Sequence, residues 1–167
     1  VAGTDLLAQE AAKISKLMNA EVEWTSGIWS FRKKRAVKLE NSKSGFCCSL
    51  NMEVSFYGIQ EGESAVNMAE VFLVSEEVPV FTSALKQQAL LFPTNYLQQV
   101  RAMEHGLCCL QLESLEPVEH FVGRLFEGLL VLEQQIPVIA LQEILDLPDN
   151  SAVMHYWHSR KGAGACV

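Results

Sequence analysis

The clearest pattern in the chain is Phe46 to Tyr57, FCCSLNMEVSFY, where apolar and polar positions alternate without a break. Phe46, Cys48, Leu50, Met52, Val54 and Phe56 fall on one face. Cys47, Ser49, Asn51, Glu53, Ser55 and Tyr57 fall on the other, which is the period-two signature of a half-buried β-strand. At about 3.3 Å per residue it would extend roughly 40 Å, long enough to predict a bulge or bend along it.

The flanking segments supply its neighbours. Asp5 to Asn19 carries Leu7, Ala11, Ile14, Leu17 and Met18 at helical spacing, with Thr4 as the expected N-cap. Val22 to Phe31 reads as a strand hairpin turning at Ser26-Gly27 and anchored by Trp24 and Trp29. Arg35 to Glu40 reads as a short strand, so the basic run Arg32-Lys33-Lys34-Arg35 is expected in a solvated turn. Asn41 to Gly45 and Gln60 to Ser64 read as turns.

Glu70 to Val74 is a short apolar run, the form of a strand covered on both faces. Ser75 is placed to cap a helix that begins with Glu76-Glu77 and buries Val78, Phe81, Leu85 and Ala89. Leu90 to Val100 reads as a strand, with Pro93 pointing to an edge position or bulge. Ala102 to His105 reads as a turn and Gly106 to Ser114 as a further strand. Glu116-Pro117 then opens a helix with a wide apolar face, Val118 to Leu132.

A meander of strands, then strand, helix, strand, strand, helix, predicts an α+β fold: a mostly antiparallel sheet covered by helices. Residues 1–134 form the expected single domain. Residues 135–167 are expected to pack on it as a C-terminal extension, with a loose tail from about Lys161.

Composition narrows the class. The chain has 167 residues, 49% of them hydrophobic and 20% charged, enough apolar content for a core and for self-association. A net charge of −7 disfavours nucleic acid as a partner, since phosphate binding needs clustered Lys and Arg. No apolar run approaches the ~18 to 20 residues needed to cross a bilayer, and the N-terminus lacks a signal-peptide plan. The expectation is a cytoplasmic protein without a membrane partner. Five cysteines occur as Cys47-Cys48, Cys108-Cys109 and Cys166, an odd count that argues for reduced thiols. Adjacent strand residues point to opposite faces, so neither pair suits a disulfide or a zinc half-site.

Motifs for chemistry are sparse. There is no nucleophile elbow and no glycine-rich phosphate loop, and no cofactor signature is present. His155 and His158 would share a helical face, yet a metal site needs three or four converging ligands. A packed C-terminal segment is the plainer reading, so no metal is expected. Glu53, Glu70, Glu77 and Glu113 could furnish a general acid/base pair if their strands converge, but carboxylates at strand ends and helix starts also serve as solvated or capping groups.

The run NMAEVFLVSEEVPVFTSALKQQALLFPT, from Asn67, together with LCCLQLESLEPVEHF, resembles the bacterial domain of unknown function 1259, the LppY/LpqO-type family. The upstream SGIWSF and FYGIQEGES segments are similar to the family's first half, and the likeness spans roughly residues 10 to 130. It implies acidic positions at Glu70, Glu77 and Glu113 and a Thr at Thr94. The family's His-Asn-His cluster falls on Leu97, Gln98 and Gln99 here, and its later His on Gln111. Gln is neither a general base nor a good zinc ligand, so activity built on those histidines is expected to be absent.

The leading expectation is therefore a non-catalytic binding or interaction module that forms a homo-oligomer. Its pocket for a small, neutral polar ligand is expected at Glu70, Asn95, Gln98, Gln99, Gln111 and Glu113. Two alternatives stand beside it. One is a metal-dependent hydrolase or lyase that combines Glu70 and Glu113 with His105 or His158. The other is a structural subunit of a hetero-complex.

Overall fold

The computed structural model describes residues 2–38, 47–58, 64–87 and 92–134. In chain order the elements are α1 (Ala2–Met18), β1 (Val22–Thr25), β2 (Ile28–Lys38), β3 (Cys47–Tyr57), β4 (Ser64–Val74), α2 (Glu77–Lys86), β5 (Tyr96–Ala102), a single 3-10 turn at Glu104–Gly106, β6 (Leu107–Pro117) and α3 (Val118–Gln134). The six strands form one antiparallel sheet in the order β1-β2-β3-β4-β6-β5, and the helices pack against it. This is the α+β architecture that the alternation predicts.

The central strands feed one face of that sheet into the core. Met52, Val54 and Phe56 of β3, Ala65, Ala69, Val71 and Leu73 of β4, and Leu110 and Leu112 of β6 are buried. They meet Ile14 and Met18 of α1, Phe81 and Leu85 of α2, and Phe121, Val122, Leu125 and Leu129 of α3 in one cluster. Full burial of a large apolar side chain contributes about 1.5–3 kcal/mol, so this layer is the main source of stability. A smaller cluster of Cys48, Leu50 and Leu107, with Val37, Phe72, Val74 and Met103 against it, closes one end.

Two polar clamps fix the helices to the sheet. Glu116, at the end of β6, and Arg124 of α3 form an ion pair that is 5% and 3% exposed, and Ser114 donates to the same carboxylate at 3.0 Å. Arg124 also stacks over the Phe92 ring, 5.3 Å from its centroid. Removing one partner of such a buried pair typically costs about 3–5 kcal/mol, because the other charge stays behind. At the opposite end Arg35 of β2 grips both carboxylate oxygens of Glu77, and that carboxylate also accepts the Val74 N–H at 2.9 Å.

Several boundaries differ from expectation, each for a local reason. The run Arg32 to Arg35 is not a turn but the middle of β2, paired residue for residue with Glu53 to Leu50 of β3. Alternation splits its charges. Arg32 takes the open face, while Lys33 donates to the Met18 carbonyl at 2.7 Å and Arg35 reaches Glu77. The β2–β3 register is continuous from Trp29↔Phe56 to Lys38↔Cys47, so the expected bulge is absent from it.

β4 begins at Ser64 rather than Glu70 and alternates in burial; it is covered on one face, not two. α1 starts at Ala2, placing Thr4 inside the helix instead of at its cap. Ser75 does not cap α2; its hydroxyl donates to the Gly106 carbonyl at 2.8 Å, tying the β4–α2 corner to the start of β6. β5 begins at Tyr96, past Pro93, and takes in Ala102, which the sequence placed in a turn. Pro117 ends β6 instead of opening α3 inside the helix, because the strand continues to it opposite Ser64. The hairpin between β1 and β2 matches expectation: Ser26 (φ 53°) and Gly27 (φ 87°) both adopt the left-handed region that a two-residue turn requires. The turn at 41–45, Ala89 and the C-terminal extension 135–167, with His155, His158 and Cys166, lie outside the described residues.

Candidate functional site

Alternation that buries one face of the sheet necessarily presents the other. Among the described residues no helix covers that second face, and its outward side chains fall into rows fixed by strand register. One row crosses five strands: Arg32 of β2 stands opposite Glu53 of β3, Glu53 opposite Glu70 of β4, Glu70 opposite Gln111 of β6, and Gln111 opposite Gln99 of β5. At about 4.8 Å between neighbouring strands the row is roughly 19 Å long. The next row reads Ser30, Ser55, Met68, Glu113 and Leu97. Tyr57, Val66 and Leu115 form an apolar row beyond it.

The first two rows line a trough of about 950 Å³. Glu21, just before β1, and Glu23 of β1 border it on one side and Leu97 and Gln99 of β5 on the other. Residues from opposite edges of a six-stranded sheet can border one cavity only if the sheet curls toward its open face, as a twisted sheet does.

Hydrogen bonds organise the floor. Arg32 Nη2 lies 2.6 Å from Glu53 Oε1, and Gln111 Nε2 donates to Glu70 Oε1 at 2.9 Å. Glu53 and Glu70 are direct cross-strand neighbours, an arrangement of like charges that destabilises a sheet unless something offsets it. The guanidinium and the amide provide that offset, one for each carboxylate. The trough still carries five glutamates, Glu21, Glu23, Glu53, Glu70 and Glu113, against one arginine. Its field favours cations.

Of the six residues singled out from sequence, Glu70, Gln99, Gln111 and Glu113 share this face. Gln98 borders the trough but lies one residue out of phase. Its side-chain carbonyl accepts the Tyr96 hydroxyl at 2.8 Å on the other side of β5. Asn95 precedes β5, and its backbone carbonyl accepts the Leu115 N–H at 3.1 Å; it does not line the trough. Arg32, Glu53, Met68 and Leu97 complete the face and were not singled out for it. The alternation of the long strand already placed Glu53 outward, whereas reading Arg32 as part of a turn hid it.

The remaining reactive groups are set apart. His105 is an exposed residue on the 3-10 turn, 3.9 Å from Glu104, and does not join Glu70 or Glu113. Among the described residues no three of His, Cys, Asp and Glu converge in a way that could hold a metal ion. Cys108 and Cys109 are unbridged and buried. Burial, followed by the nearby Glu70 carboxylate, pushes the Cys109 thiol above its ordinary range, while Arg101 acts in the opposite sense. A raised thiol holds less thiolate at neutral pH and is a poor nucleophile.

Comparisons with protein-family models, with curated proteins and with solved structures returned no match. No described helix is long and apolar enough to cross a membrane.

Proposed function

We propose that this protein is a non-catalytic binding module whose ligand lies in the trough on the open face of the sheet. The observation that carries this reading is the in-register polar row from Arg32 to Gln99, held by its own hydrogen bonds on a face left without a helix. Glu70 and Gln111 act as a pair: the amide orients one carboxylate oxygen and leaves the other for a ligand. Glu113 adds a second acceptor, and Met68 and Leu97 offer apolar contact beside it. Gln99 and Gln111 suit the neutral polar ligand expected from sequence. The five glutamates move the preference to a small polar molecule that carries positive charge, such as a polyamine or an amino sugar. A cytoplasmic setting is consistent with the unbridged Cys108 and Cys109.

A thermal-shift panel of cationic, neutral and anionic metabolites tests the reading. Cationic members should raise the unfolding temperature in proportion to occupancy, and Glu70→Gln with Gln111→Ala should abolish the shift. Shifts from anionic members alone, or none from any member at saturating concentration, would contradict it.

A further inference from the structure

We infer that β5 is the edge at which a second copy of this chain pairs, the two β5 strands meeting antiparallel about a two-fold axis at Gln99.

The peptide groups of β5 alternate in direction along the strand. At both ends of the β5–β6 ladder the hydrogen-bonded residues are odd-numbered: Leu115 N–H donates to the Asn95 carbonyl at 3.1 Å, and Met103 N–H donates to the Leu107 carbonyl at 2.8 Å. The register between them is continuous from Tyr96↔Ser114 to Ala102↔Cys108. In an antiparallel ladder hydrogen-bonded and non-hydrogen-bonded pairs alternate. Leu97, Gln99 and Arg101 thus bond to β6, and Tyr96, Gln98, Val100 and Ala102 turn their N–H and C=O groups away from it. β5 is the last strand of the sheet, so among the described residues these four donors and acceptors have no strand beside them.

Natural edges are usually blunted by proline, bulges, charge or brevity. β1, at the other edge, is four residues long, preceded by Glu21 and carrying Glu23. β5 has seven residues, no proline and no bulge, and Arg101 is its one charge. Leu97 is 67% exposed and Val100 45%.

A second copy fits this edge better than an arbitrary strand. Pairing about Gln99 sets Tyr96 against Ala102 and Gln98 against Val100, so every outward-turned residue meets another outward-turned residue. That register overlaps the whole strand. It also places the partner's Arg101 opposite Leu97, whose other neighbour is Glu113 at the rim of the acidic trough. Two strand spacings, about 10 Å, separate the two backbones, a gap that an arginine and a glutamate can close. The pairing joins two six-stranded sheets edge to edge and makes their troughs adjoin.

Light scattering on the complete chain over a range of concentrations reads the assembly directly; the expected result is a dimer that weakens as salt rises. Val100→Pro removes an outward-turned N–H without touching the β6 ladder. It should give a monomer with an unchanged circular dichroism spectrum. Gln99→Cys provides a second measurement, because the axis brings this position against its own copy at non-hydrogen-bonded spacing. Mild oxidation should yield a disulfide-linked dimer with Gln99→Cys and none with Leu97→Cys. A wild-type monomer at every concentration would overturn the inference. So would a folded Val100→Pro dimer, or a Gln99→Cys dimer that fails to cross-link. A monomer whose β5 amides are nonetheless protected from hydrogen exchange would assign the edge to residues 135–167 and would also overturn it. None of these readouts depends on the trough's ligand.

Discussion

Lys33 and Arg35 stand in the middle of a strand, on the side that faces the helices, where a cation is costly unless it finds a partner. Each does: Lys33 reaches the last residue of α1 and Arg35 reaches the first residue of α2. Four consecutive basic residues resemble a solvated turn in sequence, because the carbonyl and carboxylate that satisfy them are supplied from 15 and 42 residues away. Glu116 was misread for the same reason, its partner Arg124 being visible only once α3 folds back over β6. Side chains that depend only on alternation were legible; side chains that depend on a distant partner were not.

Tyr96 supplies the prediction at this scale. Its ring packs edge-on against Phe92 with centroids 4.6 Å apart, and burial, the largest cause, pushes its phenol up from 10.0 to about 12. A group whose folded pKa lies above its unfolded value contributes stability that is fully present below the unfolded pKa and lost as pH rises through the folded one. Tyr96 should therefore cost the native state stability between pH 10.0 and about 12. Thermal unfolding followed across that window should fall more steeply for the wild type than for Tyr96→Phe. Parallel curves would show that the phenol ionises as freely in the folded chain as in the unfolded one.

Among the elements, the long strand β3 and the amphipathic helix α3 were readable almost to the residue, since each presents an unbroken period to a single core. β4 was read as half its length. Its first residues, Ser64 to Ala69, put Ala65, Asn67 and Ala69 on the buried face and Ser64, Val66 and Met68 on the other, a weak signal until β3 and β6 are set on either side. Four of the six candidate site residues fell on one face because β4, β6 and β5 are adjacent. Gln98 turned away because a one-residue change of phase moves a side chain to the other face, and Asn95 missed the trough because it lies before β5 begins.

The contact between α2 and α3 carries a contest of magnitudes. A β-carbon at Gly128 would lie 2.6 Å from Cε2 of Phe81, whose ring is fully buried. Gly128→Ala gains about 1 kcal/mol of helix propensity. Overpacking a filled core costs about 1–3 kcal/mol, and the Phe81 ring has no open space to enter. Packing should win, and urea unfolding should show Gly128→Ala destabilised by up to about 2 kcal/mol. A more stable variant would mean that the two helices separate readily at this point.

At the scale of the whole molecule, the helices among the described residues pack on one side of the sheet and leave its other side without a helix. The net charge of −7 is not spread evenly, since five glutamates border the trough with one arginine. Glu53 and Glu70 stand side by side there, each offset by its own partner, Arg32 and Gln111. The composition disclosed the sign of the protein's charge but not its concentration on this face, because register across five strands is a property of the assembled sheet.

Amide chemical-shift mapping during a polyamine titration tests most directly whether the trough acts as a site rather than as one acidic surface among others. Saturable shifts should cluster at Arg32, Glu53, Glu70, Gln111 and Glu113 and vanish in Glu70→Gln. Unsaturable shifts spread equally over the exposed carboxylates outside the trough, such as Glu76, Glu104 and Glu127, would contradict it.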